Sequence, residues 1–170
     1  MKELNHKPIS DELQQKLDKA RSSKKSFKKL KQKLTKAKPK ELDSAFHQLH
    51  EEVFEEVDCL DCANCCKTTS PIFRDKDIER LASHFRIKAS EFTEKYLHLD
   101  DENDYVLNSS PCPFLGEDLY CSVYESRPKA CREYPHTDRK NMSQILNLTV
   151  KNTEVCPAVG EIMERLKGVY

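Results

Sequence analysis

Tryptophan is absent, glycine occurs only three times, and no apolar run approaches the length of a membrane span. Gly116, Gly160 and Gly168 are too scattered for the close backbone approach that a phosphate-cradling loop or a dinucleotide turn requires. Nucleotide chemistry on a familiar loop is therefore not expected. A membrane-crossing helix takes about 20 predominantly apolar residues, whereas hydrophobic residues make up 37% of this chain and charged residues 34%. The opening stretch MKELNHKPIS carries charge with no apolar segment behind it, so no signal peptide is expected. The expected location is therefore cytoplasmic. In that reducing compartment, eight cysteines point to metal binding or redox chemistry rather than structural disulfides. A length of 170 residues suits one domain with an appendage and is short for two large cores.

What is present is unevenly distributed. Residues 1–40 hold fourteen Lys and Arg against four acids, whereas residues 41–58 hold seven acids and no Lys or Arg. The remaining residues carry fifteen bases, eighteen acids and every cysteine, so a net charge of zero hides a strong segregation. In the basic part, Leu13, Leu17, Ala20, Phe27, Leu30, Leu34 and Ala37 recur at helical steps, with Ser10 placed as an N-cap and Pro39 marking the end. Leu42, Phe46, Leu49, Val53 and Val57 repeat the pattern in the acidic part. These two amphipathic segments predict an N-terminal helical hairpin over residues 1–58, followed by a cysteine-rich domain over 59–170. Lysines across residues 16–40 could attract nucleic acid or another anionic surface. The expectation, however, is that the acidic helix that follows neutralises them. His47 and His50 are read as ordinary surface or boundary residues for want of a third donor.

Four of the cysteines fall within CLDCANCC, at Cys59, Cys62, Cys65 and Cys66. The C-x-x-C spacing aims two sulfurs at one tetrahedral ion. Adjacent side chains diverge in ordinary backbone conformations, so Cys65 and Cys66 are not expected to join Cys59 and Cys62 on one mononuclear ion. Two centres, or a polynuclear cluster with a second site, follow from that. Cys112, Cys121, Cys131 and Cys156 bring the thiols to eight, enough for two four-thiolate sites.

The flanking residues suit thiolates. Cys156 precedes Pro157 and an amphipathic run (Val159, Ile162, Met163, Leu166), which places it at a helix N-terminus, where negative sulfur is stabilised. Ser126 and Pro128 open a short helix carrying Cys131, with Arg127, Lys129 and Arg132 near to offset negative charge. Lys67 and Arg74 are placed to do the same beside the first run. A turn at Gly116-Glu117-Asp118 predicts a small hairpin bringing Cys112 and Cys121 side by side. Helices are expected at about Asp75–Phe85 and Ser90–Leu97. The resulting fold class is α+β, mainly α, with short helices and a small β-hairpin stabilised by metal. Metal binding and folding are expected to be coupled in so small a domain.

CLDCANCC followed by CPFL, CSVYESRPKACREYP and a late CP resembles the CxxCxxCC cysteine-cluster family, also called YkgJ-type, whose members are described as zinc- or iron-chelating. The resemblance covers about residues 57–160. It implies a metal set of Cys59, Cys62, Cys65, Cys66, Cys112, Cys121, Cys131 and Cys156, with Arg127 and Pro128 as the accompanying Arg-Pro pair. Ala63-Asn64 departs from the family, since many relatives carry Gly in that turn. The cofactor implied is zinc or iron, including an iron–sulfur centre, for which the 59, 62, 65 spacing and Cys156-Pro157 partly echo ferredoxin-type loops. The leading expectation is a metal-binding protein without demonstrated turnover. The alternatives are an enzyme using the metal for electron transfer or as a Lewis acid, with Glu133, Tyr134 or His136 nearby, and a nucleic-acid adaptor acting through the lysine-rich helix. No protein partner is specified by the sequence.

Overall fold

A computed structural model describes residues 6–170. Ten α-helices follow one another among these residues: α1 Asp11–Ser22, α2 Lys24–Leu34, α3 Pro39–Glu56, α4 Cys59–Cys62, α5 Asn64–Thr68, α6 Asp75–Phe85, α7 Ala89–Tyr96, α8 Lys129–Glu133, α9 Leu146–Asn152 and α10 Pro157–Leu166. A two-stranded antiparallel sheet pairs β1 Leu97–Leu99 with β2 Tyr105–Leu107. The protein is thus mainly α with one small β-hairpin. No helix of the described residues is long and apolar enough to cross a membrane.

The chain forms two compact units, each discontinuous in sequence. Among the described residues, one comprises His6–Pro8 and Ala63–Tyr134; the other comprises Ile9–Cys62 and Pro135–Tyr170. The boundary therefore falls inside the CLDCANCC run.

In the Ile9–Cys62 and Pro135–Tyr170 unit, the periodic apolar residues become a single core. Phe27, Leu34, Leu42, Phe46, Val53, Ile162, Met163 and Leu166 are all fully buried there. The basic segment is two helices, because the chain turns at Ser23 (φ −81°, ψ 1°) between α1 and α2. At the start of α1, the Ser10 hydroxyl accepts a hydrogen bond from Leu13 N–H, and Asp11 and Glu12 complement the positive end of the helix. α10 packs against α1 and α3, and α2 packs against α9. The α1–α10 approach is close because Gly160 has no side chain: a Cβ added there would lie 2.5 Å from Ala20 Cβ. A 3-10 turn at Met142–Ile145 is fastened to α3 by the Asp43 carboxylate, which accepts from Asn141 N–H (2.8 Å) and Met142 N–H (2.9 Å).

In the Ala63–Tyr134 unit the core is aromatic. Phe73, Phe85, Phe92, Tyr96 and Phe114 meet with ring centroids 5.0–6.4 Å apart, among Ile78, Leu81, Leu97, Leu107 and Val123. α6 spans the residues its periodicity predicts and ends at Arg86, which adopts the left-handed conformation (φ 57°). The regular β-hairpin is β1–β2, not the pair of extended pieces expected around Gly116. The 112–121 segment instead closes through a single antiparallel bridge, Leu115 to Cys121, with Gly116 N–H donating to Tyr120 O at 2.8 Å.

Candidate metal centre

Five thiols belong to the Ala63–Tyr134 unit. Cys65 and Cys66 sit on the single-turn α5, entered through Ala63 in the left-handed conformation (φ 44°, ψ 18°). An L-residue pays roughly 1–2 kcal/mol for that conformation and glycine does not, which gives a physical reason for Gly in this turn. Ala63 is retained here by burial, since its methyl packs with Leu115, Leu119, Cys66 and Cys112. Cys112 is tied to α5 through its backbone, its N–H donating to Cys66 O at 2.8 Å. Cys121 follows from the Leu115 bridge, and its carbonyl accepts from Tyr124 N–H at 3.1 Å, starting the turn that leads to α8 and Cys131.

These thiols sense one another. Cys66 is held down to about 7 by a hydrogen bond from the Cys65 thiol, against desolvation that pushes it up, with Arg127 and Lys67 adding positive charge. Cys112 is pushed up to about 12, chiefly by desolvation and also by the Cys66 and Cys121 sulfurs, against the backbone N–H groups of Phe114 and Leu115. Cys131 is likewise pushed up to about 12 by desolvation and then by Cys66, Cys112 and Cys121, with Arg127 opposing. Burial also raises Cys121. Cys66, Cys112, Cys121 and Cys131 thus occupy one electrostatic neighbourhood. The Cys65 and Cys66 thiols lie close enough to interact.

The other three thiols belong to the second unit. Cys59 and Cys62 lie on α4, the first exposed and the second buried. Cys156 is the residue before the first turn of α10, with Pro157 opening the helix as expected. Its thiol is nevertheless raised to about 12, because desolvation, with Cys59 and Cys62 adding to it, outweighs the hydrogen bonds from Val159 and Ala158 N–H. For the metal-free thiol, then, burial wins over the helix terminus. A cation held by Cys156 would supply positive charge that favours its thiolate.

Among the described residues, no three His, Cys, Asp or Glu side chains are arranged to hold an ion as they stand. The donor chemistry nevertheless fits a thiophilic metal: eight reduced cysteines, with Cys112, Cys121, Cys131 and Cys156 raised in pKa by burial and by neighbouring sulfurs.

The residues expected to support the site are built into a backbone clamp. Arg127 donates from Nε to Tyr124 O (2.8 Å), and its guanidinium carbon lies 3.4 Å from the centre of the Tyr124 ring. Arg132 donates from an Nη to Arg127 O at 2.8 Å, and Pro128 is the buried N-cap of α8. Lys129 pairs with Glu133 on the same turn. Tyr134 closes this unit, and His136 lies in the other.

Sequence reasoning missed two members of the clamp, Asp77 and Arg80. The buried Asp77 carboxylate accepts from Lys129 N–H (3.0 Å), Arg74 N–H (3.2 Å) and an Arg80 Nη (2.6 Å). Arg80 in turn donates to Arg127 O (2.7 Å) and Ser126 O (3.2 Å). Together they fasten the first turn of the Cys131 helix to α6. The local signal was Asp77 at the third position of its helix with Arg80 three residues on; its long-range partner, Lys129 N–H, has no trace in sequence.

The family described as "CxxCxxCC: Putative zinc- or iron-chelating domain" matches residues 58–157. The chain belongs to this family. The matched span begins one residue before Cys59 and ends one residue after Cys156, so it takes in all eight cysteines and both thiol groups of this CxxCxxCC protein. No curated protein and no solved structure matches the chain.

Proposed function

We propose that the protein is a cytoplasmic metal-binding module whose eight thiols hold zinc or iron in two groups, one per compact unit. Cys66, Cys112, Cys121 and Cys131, with Cys65 in support, form the first group. Cys59, Cys62 and Cys156 form the second. The observation that carries this reading is the backbone placement of the thiols: Cys112 N–H donates to Cys66 O at 2.8 Å and Cys121 bridges to Leu115 in one unit, whereas Cys62 and Cys156 pack in the same core of the other. Membership of a family described as zinc- or iron-chelating supplies the class of ligand. The metal, when bound, would supply the positive charge that lets buried sulfurs ionise. The chain supplies reduced donors, their desolvation, and the guanidinium of Arg127 as countercharge. A reducing cytosol keeps such thiols available.

The test is metal content by elemental analysis, with the absorbance spectrum, of protein purified without oxygen. Iron with inorganic sulfide and visible absorbance identifies an iron–sulfur centre, and stoichiometric zinc without colour identifies thiolate zinc. Cys131→Ser and Cys156→Ser are each expected to remove part of the metal and leave the remainder. Loss of all metal from either variant, with the fold retained, would point to one shared centre.

A further inference from the structure

We propose that the solvent face of α2 is a docking surface for the phosphate backbone of a nucleic acid. Between residues 19 and 40 the chain carries eleven Lys and Arg and no acid. Among the described residues, the acidic helix neutralises only Lys38 of this stretch by an ion pair. Of the charged groups on α3, Glu41 pairs with Lys38, Glu52 and Glu56 pair with Arg165, and Asp43 fastens the 142–145 turn. Among the described residues, α2 makes an ion pair through Lys24 to Glu154, while Lys31 reaches the Asn147 side chain and Lys33 the Tyr170 carbonyl. Lys25, Lys28, Lys29 and Lys36 are exposed and, among the described residues, have no acidic partner.

Those four positions share a face. At 100° per residue, Lys25, Lys28, Lys29, Gln32 and Lys36 fall within roughly 100° of one another, with Lys36 in the turn that continues the helix. The fully buried Phe27, Leu30 and Leu34 lie opposite. The result is a stripe about 16 Å long at 1.5 Å per residue, spanning roughly five base-pair steps. An amphipathic helix that settles on a lipid surface does so by burying its apolar face in the acyl boundary. Here that face is spent on the unit's own core, leaving only cations and the Gln32 amide to the outside. A narrow row of cations punctuated by an amide donor suits a linear row of phosphates better than a plane of lipid headgroups. Contacts of these lysines to phosphates carry no sequence information, so the binding is expected to be independent of sequence.

The experiment uses the full chain as purified with its metal. Fluorescence anisotropy is recorded with a mixed-sequence 20-base-pair DNA duplex and the corresponding RNA duplex, from 50 to 200 mM NaCl. Co-sedimentation is run with phosphatidylcholine vesicles containing phosphatidylserine. Neutralising four phosphates predicts a log–log salt slope of about −3.6, or roughly a hundredfold loss across that range. Replacing Lys25, Lys28, Lys29 and Lys36 by Gln should weaken duplex binding at least tenfold and flatten the slope, with circular dichroism unchanged because all four are exposed. Replacing the exposed Lys76, Lys88, Lys95 and Lys140 by Gln removes the same charge elsewhere and should leave most of the affinity. Three results would each overturn the proposal: no duplex binding at 50 mM NaCl, equal losses in the two variants, or sedimentation with vesicles without binding to either duplex.

Discussion

Asp77 is the residue on which the geometry of the Cys131 helix turns. Burial alone would push its carboxyl up, but the hydrogen bonds from Arg80 and from the Arg74 and Lys129 N–H groups outweigh burial and hold it below the ordinary carboxylate value. A carboxyl depressed on folding contributes stability that is fully present above its unfolded pKa of about 3.9 and is lost as pH falls through the lower folded value. Asp77→Asn keeps the shape but removes the charge, and is expected to cost about 2 kcal/mol at neutral pH. Measured by urea unfolding, the gap between the two proteins should stay constant from pH 7 to about pH 5 and narrow toward pH 3. A gap that stayed the same down to pH 3 would mean that the carboxylate acts by shape alone. The chelating family was legible from the spacing and number of the cysteines, because eight thiols in that order make a specific pattern. Asp77 was not, because its importance comes from a donor fifty-two residues away.

At the scale of the element, periodicity succeeded where a helix buries one face and failed where length or the tertiary neighbour decides. Ile78, Leu81, Ala82 and Phe85 gave α6 its bounds. Ser23 breaks the basic segment without Gly or Pro to announce it, so the apolar spacing runs unbroken across two helices. The strands β1 and β2 are three residues each, too short to show alternation; their connection is set by the Asp100 carboxylate, which accepts from Glu102 and Asp104 N–H at 2.9 Å. Gly160 is the element-scale feature with the clearest consequence. Gly to Ala in a helix interior normally stabilises by roughly 0.5–1 kcal/mol. Here the added methyl would meet Ala20 Cβ at 2.5 Å, between the backbones of two packed helices, and overpacking of that kind costs about 1–3 kcal/mol. Gly160→Ala should therefore lower the melting temperature, and adding Ala20→Gly should recover part of the loss. Simple additivity of the two changes, measured as a double-mutant cycle, would count against close α1–α10 packing.

Over the whole molecule, the sequence partition by charge and cysteine content does not coincide with the compact units, because the chain re-enters the helical unit at Pro135. No local signal carries that return. It bears on which part of the protein a bound metal would stabilise most. The unit of α1, α2, α3, α9 and α10 owns one continuous apolar core reaching from Leu13 to Leu166. The Ala63–Tyr134 unit divides its apolar residues between an aromatic cluster and a small patch of Ala63, Leu115 and Leu119, with Cys66 and Cys112 packed against that patch. Ligand binding stabilises a fold by an amount that grows with metal concentration over its dissociation constant, and small cores rely on that contribution most. Stripping the metal with a thiophilic chelator under reducing conditions should therefore act unequally. Hydrogen exchange is expected to accelerate at least tenfold through α5, α8 and the 112–121 loop, while the amides of α3 and α10 keep most of their protection. Re-addition of metal should restore the slow exchange. If α3 and α10 opened together with α8 at equal free energy, the molecule would be a single cooperative block and the metal a clamp on all of it, and the unequal dependence argued from the two cores would be wrong.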